Sequence, residues 1–258
     1  MAKYILISSL FFGVTEKVAA QELPPIQTDR PDQTETPYTV PKNHFQMENG
    51  INYEKVNDNE VNMLHPTSLW KVGLNDIFEL RLITEYSANR INDSGISPTF
   101  IRTAGLNPVK VGFKSNLCKE KGIIPLTSFI AHLSVPFLSS KQLASSYFAP
   151  SFRFTMQHTL SENVSLGYNL GAEWDGESAE PSFIYTLTTG FALTEKVGAY
   201  MEIYGFAPQT SPADHRADGG ITYLISHNVL LDLSGGVGLT ANAPDYYGSF
   251  GFSFRLPN

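Results

Sequence analysis

From residue 44 to residue 256 one pattern recurs: some ten residues in which every second side chain is apolar, then a few turn residues. In "NVSLGYNLGAEW", Val164, Leu166, Tyr168, Leu170, Ala172 and Trp174 fall on one side, and Ser165, Gly167, Asn169, Gly171 and Glu173 on the other. "IFELRLITEY" sets Phe78, Leu80, Leu82, Thr84 and Tyr86 against Glu79, Arg81, Ile83 and Glu85, and "YYGSFGFSFRL" sets Tyr246, Phe250, Phe252, Phe254 and Leu256 against Tyr247, Ser249, Gly251, Ser253 and Arg255. A period of two places such sets on opposite faces of a β-strand, whereas a helical period would scatter the aromatics all round. The pattern predicts twelve strands near 44–55, 62–74, 77–89, 102–115, 125–136, 146–158, 163–174, 181–193, 196–206, 214–225, 228–239 and 246–256.

The polar faces are rich in glycine and serine, and the apolar faces are aromatic-rich and free of charge in the clearest strands. That division suits a transmembrane barrel, apolar outside and polar within, more than an exported soluble β-sandwich that uses the same apolar face as core. Joints after even-numbered strands are mostly tight, as in Leu74-Asn75-Asp76 and Ile225-Ser226-His227-Asn228. Joints after odd ones are longer, as in "FLSSKQLASS" and "FAPQTSPAD"; the compact "NDNE" after the first strand and the longer "LCKEKGII" after the fourth are exceptions. Tight turns on one side and long loops on the other are the asymmetry of an up-and-down antiparallel outer-membrane barrel. In lipid every backbone N–H and C=O must be paired, so the last strand must bond to the first. Trp70, Tyr86, Trp174, Tyr246 and Tyr247 are candidates for interfacial girdles.

Met1–Ala20 has the layout of a secretory signal: Lys3, the apolar run "YILISSLFFGV", and small residues Val18 and Ala20 before Gln21. No cysteine follows the cleavage point, so a lipid anchor is not expected. The single cysteine, Cys118, excludes an internal disulfide. A formal charge of −7 spread along the chain argues against nucleic acid as a partner. After the signal no apolar run reaches the roughly 18 residues of a membrane helix. The expected organisation is a signal peptide (1–20), a proline-rich segment (21–43) that is periplasmic or folded into the lumen, and an outer-membrane barrel (44–258).

The stretch "TDRPDQTETPYTVPKNHFQMENGINYE" (28–54), followed by "PTSLWKVGLNDIFELRL" (66–82), resembles the start of a bacterial family labelled putative MetA-pathway of phenol degradation. Members of that family are usually described as outer-membrane β-barrel transporters. The resemblance implies a barrel and an uptake context for aromatic compounds; outer-membrane lipid, a small-molecule solute and the barrel-assembly machinery are the partners expected of a barrel of this kind. It implies no particular functional residues. One departure is the C-terminus: outer-membrane chains often end on an aromatic assembly signal, but here Phe252 and Phe254 are followed by Arg255-Leu256-Pro257-Asn258.

Alternation supplies the site candidates. Glu48, Lys71, Glu79, Arg81, Glu85, Lys110, Arg153, Glu173, Glu202, Asp232 and Arg255 are expected to line the lumen, as are Glu54 and Lys114. Their mixed signs fit either a solid set of ion pairs or a narrow wet channel, and argue against strong selection for one ion sign. Asp29, Arg30, Asp32 and Glu35, on a chain held extended by Pro31, Pro37 and Pro41, are candidates for a lumen plug; a disordered leader is the alternative. The function expected is passive passage of small, aromatic or apolar solutes, no phosphate-binding loop being present to couple movement to a nucleotide. A closed structural barrel and an outer-membrane lipid hydrolase are the alternatives. For the hydrolase, His44, His65, His132, His158, His215 and His227 are the available bases, His132 beside an inward Ser134, but no motif supplies a nucleophile. No cofactor or metal is called for, because no histidine and cysteine spacing suits a metal.

Overall fold

The computed structural model describes residues 23–93 and 99–257, and the expected signal peptide lies outside them. Described in chain order, the strands are β1 (His44–Asn57), β2 (Glu60–Asn75), β3 (Phe78–Asp93), β4 (Thr99–Leu106), β5 (Val109–Cys118), β6 (Leu126–Val135), β7 (Ala149–Ser161), β8 (Val164–Glu173), β9 (Ser182–Ala192), β10 (Val197–Pro208), β11 (Asp214–Ser226), β12 (Val229–Gly238) and β13 (Tyr246–Pro257). They form one antiparallel sheet, and β1 pairs with β13 from His44↔Pro257 to Lys55↔Tyr246, which closes it into a barrel.

The barrel has twelve staves, because β4 and β5 are two pieces of one. β3 pairs with β5 through Phe78–Ile83 and with β4 through Tyr86–Asp93. The strand expected to run unbroken over 102–115 is interrupted at Asn107-Pro108: Pro108 has no N–H to give the ladder, and the Asn107 N–H bonds instead to the Glu85 carbonyl at 2.8 Å. The free edge of β4 is covered by the loop 136–148, where Ser140 exchanges hydrogen bonds with Leu106.

Faces are sorted as the alternation requires. In β8 the Leu170 side is 56% exposed, while the next residue, Asn169, is fully buried. The most deeply buried side chains include Lys71, Lys114, Glu48, Glu79 and Asn169, whereas Leu233, Phe250, Ile203 and Phe183 stand exposed. A soluble core is the reverse of this, so the single closed sheet and its polar interior exclude the sandwich. Of the girdle candidates, Tyr246 is outward, its ring centre 6.4 Å from that of Tyr53 in a tilted pair, but Tyr247 faces inward and donates its hydroxyl to Asp218. That corrects its place among the girdle residues, and the cause is simple: two adjacent strand residues cannot share a face.

Closure also decides which distant residues become neighbours. One rung of cross-strand partners runs Arg255, Gln46, Lys71, Arg81, Gly112, His132, Ser151 and Glu173. A second runs Thr188, Glu202, Asp218, Gly236, Tyr247 and Glu54. The first gathers cations, the second carboxylates.

Candidate functional site

The residues before β1 make an excursion into the barrel from the end that carries the tight turns, and return to that end. Going in, the Ile26 N–H bonds to the His227 carbonyl in the β11–β12 turn at 2.8 Å, and Arg255 donates to the Pro24 carbonyl at 2.8 Å. Coming out, the Val40 N–H bonds to Glu79 at 2.7 Å and the Asn43 N–H to the Gly73 carbonyl at 3.0 Å. The prolines suit this path. An extended chain without partner strands carries backbone groups that the lumen wall must satisfy, and each proline removes one donor.

Asp29 is the centre of the attachment. Its carboxylate accepts from Lys71 at 2.9 Å, Arg81 at 3.0 Å and Lys114 at 2.7 Å, and also from the N–H of Thr36 at 3.0 Å. Burial disfavours the charged form of Asp29, but Lys114, Lys71 and Arg81 outweigh it and hold the carboxyl well below the usual carboxylate range. Glu48 takes the N–H groups of Asp29 and Arg30 at 2.8 and 3.1 Å and also pairs with Lys71. Arg81 makes further ion pairs with Glu35 at 2.6 Å and Glu79 at 3.1 Å, and its Nε donates to His132 Nε2 at 3.1 Å. Each cation and each carboxylate of this cluster thus has at least one partner of opposite sign, which is the condition under which buried charge persists.

The opposite wall holds the tip of the excursion. Arg30 pairs with Asp232 at 2.9 Å and donates to Ser249 at 2.8 Å. Glu202 accepts from the N–H groups of Gln33 and Thr34 at 2.8 and 2.7 Å, and from the Thr34 hydroxyl. Arg153 donates to the Gln33 carbonyl at 3.0 Å, and Asn169 brackets Glu35 by accepting from its N–H at 2.8 Å and donating to its carbonyl at 3.0 Å.

Of the residues expected in the lumen, Glu48, Lys71, Glu79, Arg81, Arg153, Glu202, Asp232 and Arg255 therefore meet the N-terminal segment. Glu85, Lys110 and Glu173 do not; with Trp174 and Ser151 they line a cavity of about 430 Å³ on the long-loop side. Asp29, Arg30 and Glu35 are ion-paired, whereas Asp32 makes no ion pair among the described residues. Sequence reasoning missed Arg216 and Asp218. Arg216 pairs with Glu54 at 2.8 Å and with Asp214, and lies 5.5 Å from the Phe206 ring centre. The signal was there in "DHRAD", where Asp214, Arg216 and Asp218 alternate, but the glycines that follow blur the faces.

Three of the six histidines weighed for hydrolysis are held otherwise: His132 by Arg81, His158 by the Tyr168 hydroxyl and His215 by the Tyr185 hydroxyl. Among the described residues no group of three or more His, Cys, Asp or Glu is arranged to hold a metal ion.

Solved structures share the architecture, three of them as follows. An outer membrane channel from Pseudomonas putida F1 matches with a TM-score of 0.66 at 10% identity, covering 88% of this chain and 99% of that one. The NanC porin matches at 0.52 and 8% identity (82% and 100% covered), and the KdgM porin at 0.51 and 10% identity (81% and 98% covered). At such identities the likeness speaks for the fold: a closed β-barrel of the outer-membrane kind. Comparison with curated proteins gave no match. The resemblance carried by the opening motif extends over the barrel, since a family model matches residues 28–256, and the chain belongs to the family described as Putative MetA-pathway of phenol degradation.

Proposed function

We propose that the protein is an outer-membrane conduit for the passive passage of small, aromatic or apolar solutes, with residues 23–43 as a plug in its lumen. The observation that carries this reading is that the plug fills the centre of the barrel without filling its length. On the tight-turn side a cavity of about 480 Å³ lies between the plug and the wall of β7–β11. On the other side a cavity of about 290 Å³ is lined by Leu64, Tyr204, Phe206 and Tyr247, and beyond it lies the 430 Å³ cavity at the long loops. Volumes of this order suit small organic molecules, and the aromatic wall suits rings. The neighbours in fold are a channel and two porins. Export by the signal peptide and assembly into outer-membrane lipid belong to the same reading.

The closed structural barrel draws support from the buried, mutually paired ion cluster at Asp29, and conductance separates the two readings. In planar bilayers the full mature chain is expected to give discrete openings, and deletion of Gln21–Pro41 to enlarge them. A bilayer silent for both proteins would overturn the conduit and leave the structural barrel.

A further inference from the structure

The cavity on the tight-turn side and the aromatic-walled cavity share the boundary residues Arg30, Pro31 and Asp32. A solute crossing the barrel on this wall must pass the septum they form with the second rung of cross-strand partners. Glu202 and Asp218 are direct partners on β10 and β11, and Gly236 and Tyr247 continue the rung on β12 and β13. Tyr200 lines the cavity on one side of the septum and Tyr247 the cavity on the other, while Asp32 lines both.

Charge at this septum is one-sided. Asp32, Glu202 and Asp218 have no ion-pair partner among the described residues; of the nearby cations, Arg30 is taken by Asp232 and Arg216 by Asp214 and Glu54, while Arg153 donates to the Gln33 carbonyl and acts toward Glu35 and His132 rather than Asp32. A cluster of acids alone would point to nothing. Here, however, the Tyr200 hydroxyl and the Ser234 hydroxyl, on side chains more than nine-tenths buried, and one oxygen of Asp218 lie close to one another without a hydrogen bond of good geometry formed to any of them. Tyr200 lies in the field of all three carboxyl groups. Its ring packs over Gly220, where a Cβ would come within 2.6 Å of it and 2.9 Å of Ser234 Cβ, so the glycine is what lets the hydroxyls of Tyr200 and Ser234 share the site. Buried polar atoms left unpaired are costly, and a visiting group that pairs with them recovers that cost.

We propose that this septum is a charge filter, at which Asp32, Glu202 and Asp218, with the hydroxyls of Tyr200 and Ser234, favour cationic solutes over anionic ones. The proposal rests on the conduit reading and names its selectivity. The mixed charge of the lumen, expected to leave ion sign unselected, is segregated in space: the unmatched charge at the constriction is all of one sign, and rings of one sign select for the other. The groups facing Asp32 are Glu202 and Tyr200 of β10, Asp218 of β11 and the Thr188 hydroxyl of β9, with Tyr247 of β13 bonded to Asp218 and Ser234 of β12 beside Tyr200. Burial, Glu202 and Asp218 together raise Asp32 well above the usual carboxylate range, so the filter strengthens as pH rises and the carboxyls ionise.

The test is the reversal potential of the full mature chain in a planar bilayer under a KCl gradient. The expected result is a potential on the potassium-selective side that grows between pH 6 and pH 9, moves toward zero in Asp32→Asn, and crosses to the chloride side in Asp32→Lys. Asp32 lies outside the barrel wall, so both variants keep the barrel. Openings with no preference, or with a chloride preference, in the unaltered protein would overturn the filter and leave the conduit standing; a silent bilayer would remove both. Replacement of the exposed Asp58→Asn in the β1–β2 turn is expected to leave the potential where it was.

Discussion

Leu170 and Asn169 are chain neighbours with opposite surroundings. Leu170 points outward between Phe154 and Tyr185, its cross-strand partners, while Asn169 points into the lumen between Thr155 and Thr186. Arginine at Leu170 must take its charge into hydrocarbon, which costs about 2–4 kcal/mol near the bilayer midplane. Arginine at Asn169 meets polar surroundings, but it removes both hydrogen bonds that bracket Glu35. The two changes should therefore fail differently. Leu170→Arg is expected to lower the denaturant midpoint of the barrel in lipid vesicles. Asn169→Arg is expected to leave that midpoint nearly unchanged and to speed protease cleavage within residues 23–43. Equal effects on the midpoint would mean that the two faces are not lipid and lumen.

At the scale of elements, the plug is held by two attachments with opposite responses to pH. Asp29 has its carboxyl lowered in the docked state, so its contribution is present above the ordinary carboxylate range and is lost only as pH falls well below it. Asp32 is raised, so docking is favoured while it keeps its proton and weakens as pH rises through the raised value. Protection of residues 23–43 from protease is expected to decline only modestly toward alkaline pH, because the Asp29 cluster keeps the segment docked and Asp32 in place, and Asp32→Asn to flatten that decline. Asp29→Ala leaves Lys71 and Lys114 short of a partner in a buried site and should cost docking about 3–5 kcal/mol, abolishing protection at every pH. Protection that rises with pH would mean the Asp32 side does not limit docking. The elements themselves were legible: period-two alternation placed the strands, and the one break it missed needed the proline at Pro108 to be weighed against an otherwise unbroken pattern. Which charges pair was not legible. Lys71, Arg81 and Lys114 converge on Asp29 from strands far along the chain, and only the register around a closed barrel brings them together. Arg216, Asp218 and Tyr200 stayed hidden because alternation shows that a residue faces inward but not what it faces.

For the whole molecule, the plug ties orientation to chain direction. A chain exported by its signal peptide, as proposed, presents its N-terminal segment on the periplasmic side, and here residues 23–43 enter beside the β11–β12 turn and leave beside Gly73, both at the tight-turn end. That end should therefore be periplasmic, with the long loops 136–148, 174–181, 209–213 and 239–245 at the cell surface, in keeping with outer-membrane barrels generally. The protein carries its own probe of this. Cys118, its single cysteine, is free and exposed at the end of β5, next to the β2–β3 turn, where the Asn116 N–H bonds to the Ile77 carbonyl at 2.8 Å. A membrane-impermeant maleimide applied to whole cells should leave Cys118 unmodified, and permeabilising the outer membrane should expose it. A cysteine introduced at Gln209 in a Cys118→Ser background should react on intact cells. The reversed pattern would place the tight turns outside; the plug would then enter from the cell surface, which an N-terminus delivered from the periplasm could reach only by threading the whole barrel.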